Sequence, residues 1–178
     1  MRFTRVAGLC LLFALLLSTP ANAQNVGDYR STIAVFNWTA ASSWEQWDGS
    51  TWVQSSSYPG QNPGTGTVTI RNGAVVTINV SPANPIGGLV VGEGTSGILQ
   101  FDNANRTLNI GSGGVMVNAG GTFQFGNAAQ TLTVNGGSVR VNPGGIFQVT
   151  SAAPSTTHTP STSQGAEVLE MTARLISA

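Results

Sequence analysis

Thr107-Leu108-Asn109-Ile110 returns 24 residues later as Thr131-Leu132-Thr133-Val134. Around it, Val115-Met116-Val117 returns as Val139-Arg140-Val141, and Gly120-Gly121 as Gly144-Gly145. Leu99-Gln100-Phe101, Phe123-Gln124-Phe125 and Phe147-Gln148-Val149 form a threefold series at the same step. A fixed period of this length belongs to stacked repeat architectures. Within one unit, Leu108/Ile110, Val115/Val117 and Phe123/Phe125 stand two apart, the spacing that turns side chains to one face of a strand. Thr107, Asn109, Thr122 and Gln124 take outward positions, with Met116 the apolar exception. Between the runs lie segments 111–114, 118–121 and 126–130, rich in Gly and Asn, residues that tolerate the positive φ of sharp corners.

Three runs and three corners make one coil of a β-solenoid. Like stacks on like, Phe123 beneath Phe147 and Leu108 beneath Leu132, because one coil cannot bury its own apolar set. Parallel crossovers are right-handed in nearly all cases. The expected fold is therefore all-β, a right-handed parallel β-helix with coils of 24 residues. The rival is an antiparallel sandwich with hairpin turns at Asn72-Gly73 and Asn135-Gly136, both good hairpin dipeptides. It supplies no reason for the same corner chemistry to recur at one period.

Composition narrows the function classes. Charged residues are 8% of the chain, far below the usual quarter or so. That argues against highly charged disorder. All seven basic residues are Arg. Residues 1–23 read as a secretory signal peptide: Arg2 and Arg5, an apolar run, then Ala21-Asn22-Ala23 before Gln24, a pattern of export and cleavage. The apolar run is too short for a transmembrane span. Cleavage leaves five Arg against seven acidic residues, a net charge of −2, so the mature chain offers no basic patch for nucleic acid. Cys10, the single cysteine, lies in the leader. The expected location is secreted, extracellular or at the cell surface.

The mature chain divides into three. Residues 24–63 hold all four tryptophans, both tyrosines and Phe36, and read as an aromatic cap over the N-terminal end of the stack. Asp48-Gly49-Ser50 reads as a turn between Trp47 and Trp52. The sharper alternative is a sugar-stacking platform of Trp44, Trp47 and Trp52, with Glu45 and Asp48 for sugar hydroxyls or Ca²⁺. Residues 64–151 are the solenoid. Pro82 and Pro85 should break strand pairing locally, and the 93–97 corner, two residues longer than its counterpart, should bulge. Residues 152–178 are a Ser/Thr/Pro-rich linker followed by a stripe from Val168 to Ile176, read as a short helix covering the last coil. An uncovered end invites self-association through the solenoid ends.

Asn37-Trp38, Ser43-Trp44, a Pro-Gly loop, Val68-Thr69-Ile70 before Asn72-Gly73, Gly88-Leu89-Val90-Val91 and Leu99-Gln100-Phe101 together resemble the G8 domain. The resemblance covers about residues 34–135. It implies a glycine-rich β-module of secreted and cell-surface proteins, some attached to hyaluronan-degrading or adhesive partners. Proteins with such a start continue further, so it also implies a truncated product.

Catalytic chemistry is thin. His158, the only histidine, lies in the tail, which leaves no His-based triad or His-containing metal cluster. Glu93 and Asp102 are the only carboxylates of the repeat region and sit in different corners, whereas a glycosidase needs a close pair. Outward Gln100, Gln124 and Gln148 form a surface ladder, able to bond amide to amide. The expected function is a non-enzymatic, cofactor-free structural or adhesive module. A carbohydrate-binding module for cell-surface or extracellular polysaccharide is the alternative, and a fragment of a polysaccharide-active enzyme the third.

Overall fold

The computed structural model describes residues 24–32 and 34–149, with the backbone strand at 167–169. The leader at 1–23, Cys10, His158 and the Ser/Thr/Pro-rich linker lie outside the described residues.

The N-terminal segment supplies β1 (Tyr29–Ser31), β2 (Val35–Asn37), β3 (Trp44–Trp47) and β4 (Trp52–Gln54), with a 3₁₀ turn at Ala41–Ser43. The repeat region supplies β5 (Thr67–Arg71), β6 (Val75–Ile78), β7 (Ile86–Glu93), β8 (Gly97–Phe101), β9 (Arg106–Val117), β10 (Gly121–Phe125), β11 (Gln130–Val134), β12 (Val139–Val141) and β13 (Ile146–Val149). The last strand is β14 (Glu167–Leu169).

Two sheets wrap one core. The first runs β14-β11-β9-β7-β5-β1-β3-β4, with β12 also on β9. The second runs β13-β10-β8-β6-β2. All pairs of the repeat region are parallel and in register with the sequence period: Leu108 faces Leu132, Val115 faces Val139, Phe123 faces Phe147. The chain is an all-β solenoid of about 3 turns with coils of about 24 residues. The antiparallel sandwich is excluded at its best site. Asn72 and Gly73 have φ of 51° and 82°, as a tight turn requires, yet β5 and β6 on either side pair with other coils and not with each other.

The coil differs from three separate strands and three corners. Residues 111–114 bend a strand without ending it, so the runs 107–110 and 115–117 both belong to β9. Gly114 takes a φ of 67° at the bend, and the pairing with β7 resumes beyond it with a register shift. In the preceding coil the prolines act as expected: pairing of β7 with β9 begins only after them, at Ile86 opposite Ile110. There Ser81 Oγ stands in for the missing ladder and accepts the Thr107 N–H at 3.0 Å. The long corner after Val91 is a bulge, with Ile70 opposite Val91 but Arg71 opposite Glu93.

The inward side chains form one core. Leu99, Leu108, Ile110, Val117, Phe123 and Leu132 are fully buried. Phe123 lies 5.9 Å from Phe101 and 5.3 Å from Phe147, centroid to centroid. Burial fades at the last coil, where Val141 is 45% exposed, because among the described residues β12 and β13 have a strand neighbour on one side only.

The cap is more than a lid. β1 and β2 continue the parallel walls, on β5 and β6. The direction then reverses: β3 is antiparallel to β1, and β4 to β3. Trp38 and Trp44 are both fully buried, 5.1 Å apart. At the other end, residues 167–169 are strand where a helix was expected, antiparallel on β11. An open strand edge offers ladder hydrogen bonds that outweigh weak helix propensity. The rest of the Val168–Ile176 stripe lies outside the described residues.

Candidate functional site

Two outer surfaces carry the polar and aromatic groups that a ligand could meet. The first is the β3–β4 hairpin. Asp48 builds its turn: Oδ1 accepts the N–H groups of Ser50 and Thr51, each at 2.8 Å, and the Ser50 hydroxyl at 2.9 Å. These donors, Thr51 N–H foremost, hold the carboxyl below its ordinary 3.8. Gly49 takes the φ of 108° that the turn needs. The turn brings Trp47 directly opposite Trp52, ring centroids 5.5 Å apart. The same alternation sets Glu45 on the outer face with them.

The neighbouring strand completes this cluster. Arg30 of β1 sits opposite Glu45, and its Nε donates to Glu45 Oε2 at 2.6 Å. The Arg30 guanidinium lies over the Trp52 ring, 4.3 Å from its centroid. Arg71 of β5 reaches the same Oε2 at 3.1 Å, and its Nε donates to the Ser31 carbonyl at 3.2 Å. One carboxylate therefore bridges two guanidiniums beside an aromatic pair.

Of the five residues expected to form a sugar platform, the structure brings Trp47, Trp52 and Glu45 together. Asp48 is spent on its turn. Trp44 is a correction: it is 0% exposed, and its indole N–H donates to the Trp38 carbonyl at 2.8 Å. Trp44 and Trp47 are three residues apart on a strand, so they face opposite sides. Trp44 belongs to the core and has no face for a ligand. Arg30 and Arg71 were not foreseen, since only strand pairing brings them to Glu45.

The second surface is the outer face of the second sheet. Its amide row runs Asn37, Thr77, Gln100, Gln124, Gln148, one residue per strand, in register. Gln148 Nε2 donates to Gln124 Oε1 at 3.0 Å, and Gln100 Nε2 to Thr77 Oγ1 at 3.1 Å. The expected ladder thus extends past the glutamines. A shorter ladder at a corner joins Asn142 Nδ2 to Asn118 Oδ1 at 2.7 Å. Beside the amide row runs an apolar row: Val35, Val75, Ile98, Thr122, Ile146. Val35 is 80% exposed and Ile146 50%. The sequence signal for this row was the residue two before each outward amide.

The repeat region adds two carboxylates, Asp102 and Glu93. Asp102 holds a bidentate pair with Arg106, whose Nη2 reaches Oδ2 at 2.6 Å and Nε reaches Oδ1 at 3.0 Å. The guanidinium hydrogen bonds keep the Asp102 carboxyl below its ordinary value and raise that of Arg106. Glu93 is exposed in the bulge. Among the described residues, no group of three or more His, Cys, Asp or Glu could hold a metal, and no helix is long and apolar enough to cross a membrane. Comparison with protein-family models, with curated proteins and with solved structures finds no match.

Proposed function

We propose that the chain is an exported β-solenoid module that acts as a structural or adhesive scaffold at a cell surface. The observation that carries this reading is the stack itself. The interior is filled by Leu, Ile, Val and Phe, so side chains able to recognise anything stand on the outer walls at a fixed repeat. The leader-like start of the sequence and the resemblance to the G8 domain support an extracellular setting. The test is expression of the full chain in a secretory host. The expected mature protein is found outside the cytoplasm and begins at Gln24; a chain retained inside with residues 1–23 attached refutes export.

A second reading, glycan binding at the hairpin, is favoured by Trp47, Trp52 and Glu45 on one outer face. A glycan array run with the protein and a Trp47→Ala/Trp52→Ala variant tests it. Binding lost in the variant supports it, and binding unchanged refutes it.

A further inference from the structure

We infer that the outer face of the second sheet is a track for an extended, uncharged polysaccharide lying along the solenoid axis. The inference takes up the adhesive part of the reading above. It fails separately from it, since export is scored on cells and retention on purified protein.

Charge is the first argument. The apolar and amide rows hold no charged residue on any of the five strands. The outer face of the first sheet carries Arg30, Glu45 and Arg71 on the neighbouring strands β1, β3 and β5, and Arg140 farther along on β12. A charged polymer finds its partners on the first sheet. A neutral one can cover the second without stripping water from any ion, a step that costs heavily unless the ion is paired.

Pattern is the second. Successive strands lie about 4.8 Å apart, and outward residues on one strand about 6.6 Å apart. The two rows are therefore straight, parallel and close, and run for about 19 Å over five strands. A pyranose ring has an apolar C–H face and a rim of hydroxyls. With its C–H face on the Val/Ile row, the rim reaches the amide row. Gln148 and Gln100 each commit one N–H to the ladder, and a primary amide carries two. The ladder also fixes the amides before a ligand arrives, which lowers the ordering cost of binding.

Exposure is the third. A ladder by itself explains the amide row as a stiffened wall. It does not explain why the adjacent row is Val, Val, Ile, Thr, Ile, with Val35 and Ile146 largely open to water. Val75, Ile98 and Thr122 between them are half-buried, so the row is an outward apolar line, open at both ends and broken once by Thr122, and outward apolar residues in line mark a contact surface.

The test is retention of the purified full chain on microcrystalline cellulose and on chitin, with alginate gel as the acidic comparison. The expected result is retention on a neutral polymer and less on alginate. Ile98→Glu should cut retention at least tenfold, Ile98→Val should keep it, and Arg140→Ala, on the first sheet, should leave it within twofold. Melting temperatures establish that each variant is folded; if Ile98→Glu is not, Gln100→Glu carries the same test. No retention on either neutral polymer overturns the inference, as does full retention by folded Ile98→Glu. Loss confined to Trp47→Ala/Trp52→Ala also overturns it and moves the site to the hairpin.

Discussion

Gly121→Ala should destabilise the stack by about 2–4 kcal/mol, and the reason lies between coils. Gly121 opens β10 opposite Gly97 of β8, at the corner where the chain passes closest to the preceding coil. A methyl placed there meets the Val91 carbonyl, with its carbon at 2.8 Å, and Gly92 Cα at 2.9 Å. Ordinary contact is 3.4–4 Å, so neighbouring backbones must separate by more than half an ångström. Both obstacles are backbone, which cannot rotate away. Overpacking of this kind costs about 1–3 kcal/mol. Moving the Val91 carbonyl also weakens its hydrogen bond from the Asn118 N–H, now 2.8 Å, worth about 1 kcal/mol. A domain of this size loses roughly 2–4 °C of melting temperature per kcal/mol, so the shift should be on the order of 5–15 °C by circular dichroism. The same clash recurs at Gly97 against the Ile70 carbonyl oxygen at 2.8 Å, and at Gly145 against that of Val117 at 2.6 Å. Gly145→Ala should cost less than Gly121→Ala, because the last coil can tilt outward. The control is Gly64→Ala, where nothing lies within 4 Å and only the φ of 84° resists, a penalty of about 1–2 kcal/mol. If Gly121→Ala melts within a degree or two of the parent, the corner is not packed as described.

Phe123→Ala, which empties a fully buried site between three rings, should cost about 3–5 kcal/mol in denaturant unfolding; Phe147→Ala should cost about half as much, and equal costs would refute the open last coil. The Asp102 carboxyl is held low in the fold by Arg106, so its stabilisation is present above the ordinary value of 3.8 and is lost as pH falls below that towards the folded value. For a solvent-screened pair this is at most about 1 kcal/mol, and Asp102→Asn should remove that part of the fall in melting temperature as pH drops below 3.8. Removal of residues 152–178 strips β14 from β11 and should cost about 2 kcal/mol of ladder hydrogen bonds and promote association; an unchanged melting temperature and a monomer by light scattering for 24–151 against 24–178 would refute it.

The parts legible in the sequence are those that two periods could encode. The step of 24 puts Phe123 on Phe147 and Leu108 on Leu132, and the pleat period of two sorts each strand into wall and core. Gln148 on Gln124 follows from both together. What escaped is what neither period reaches. Glycine permits a bend or a break equally, so only the ladders that β7, β11 and β12 form on β9 decide that residues 111–114 continue it. The N-terminal segment has no repeat: Tyr29 pairs with Val68, and Glu45 draws Arg30 and Arg71 from two other strands. Trp44 shows a narrower failure. Its grouping with Trp47 ignored that residues three apart on a strand point oppositely, a rule already applied to the repeats. The ends follow a logic visible only in three dimensions. A parallel coil adds to an edge running in its own direction, and the first sheet stops doing so at both ends, at β3 on β1 and at β14 on β11. The second sheet has no such reversal among the described residues, ending at β2 and β13. The end strands that keep the parallel direction therefore belong to the sheet whose outer face is also the uncharged one, and Val35 and Ile146 stand where edge and face meet.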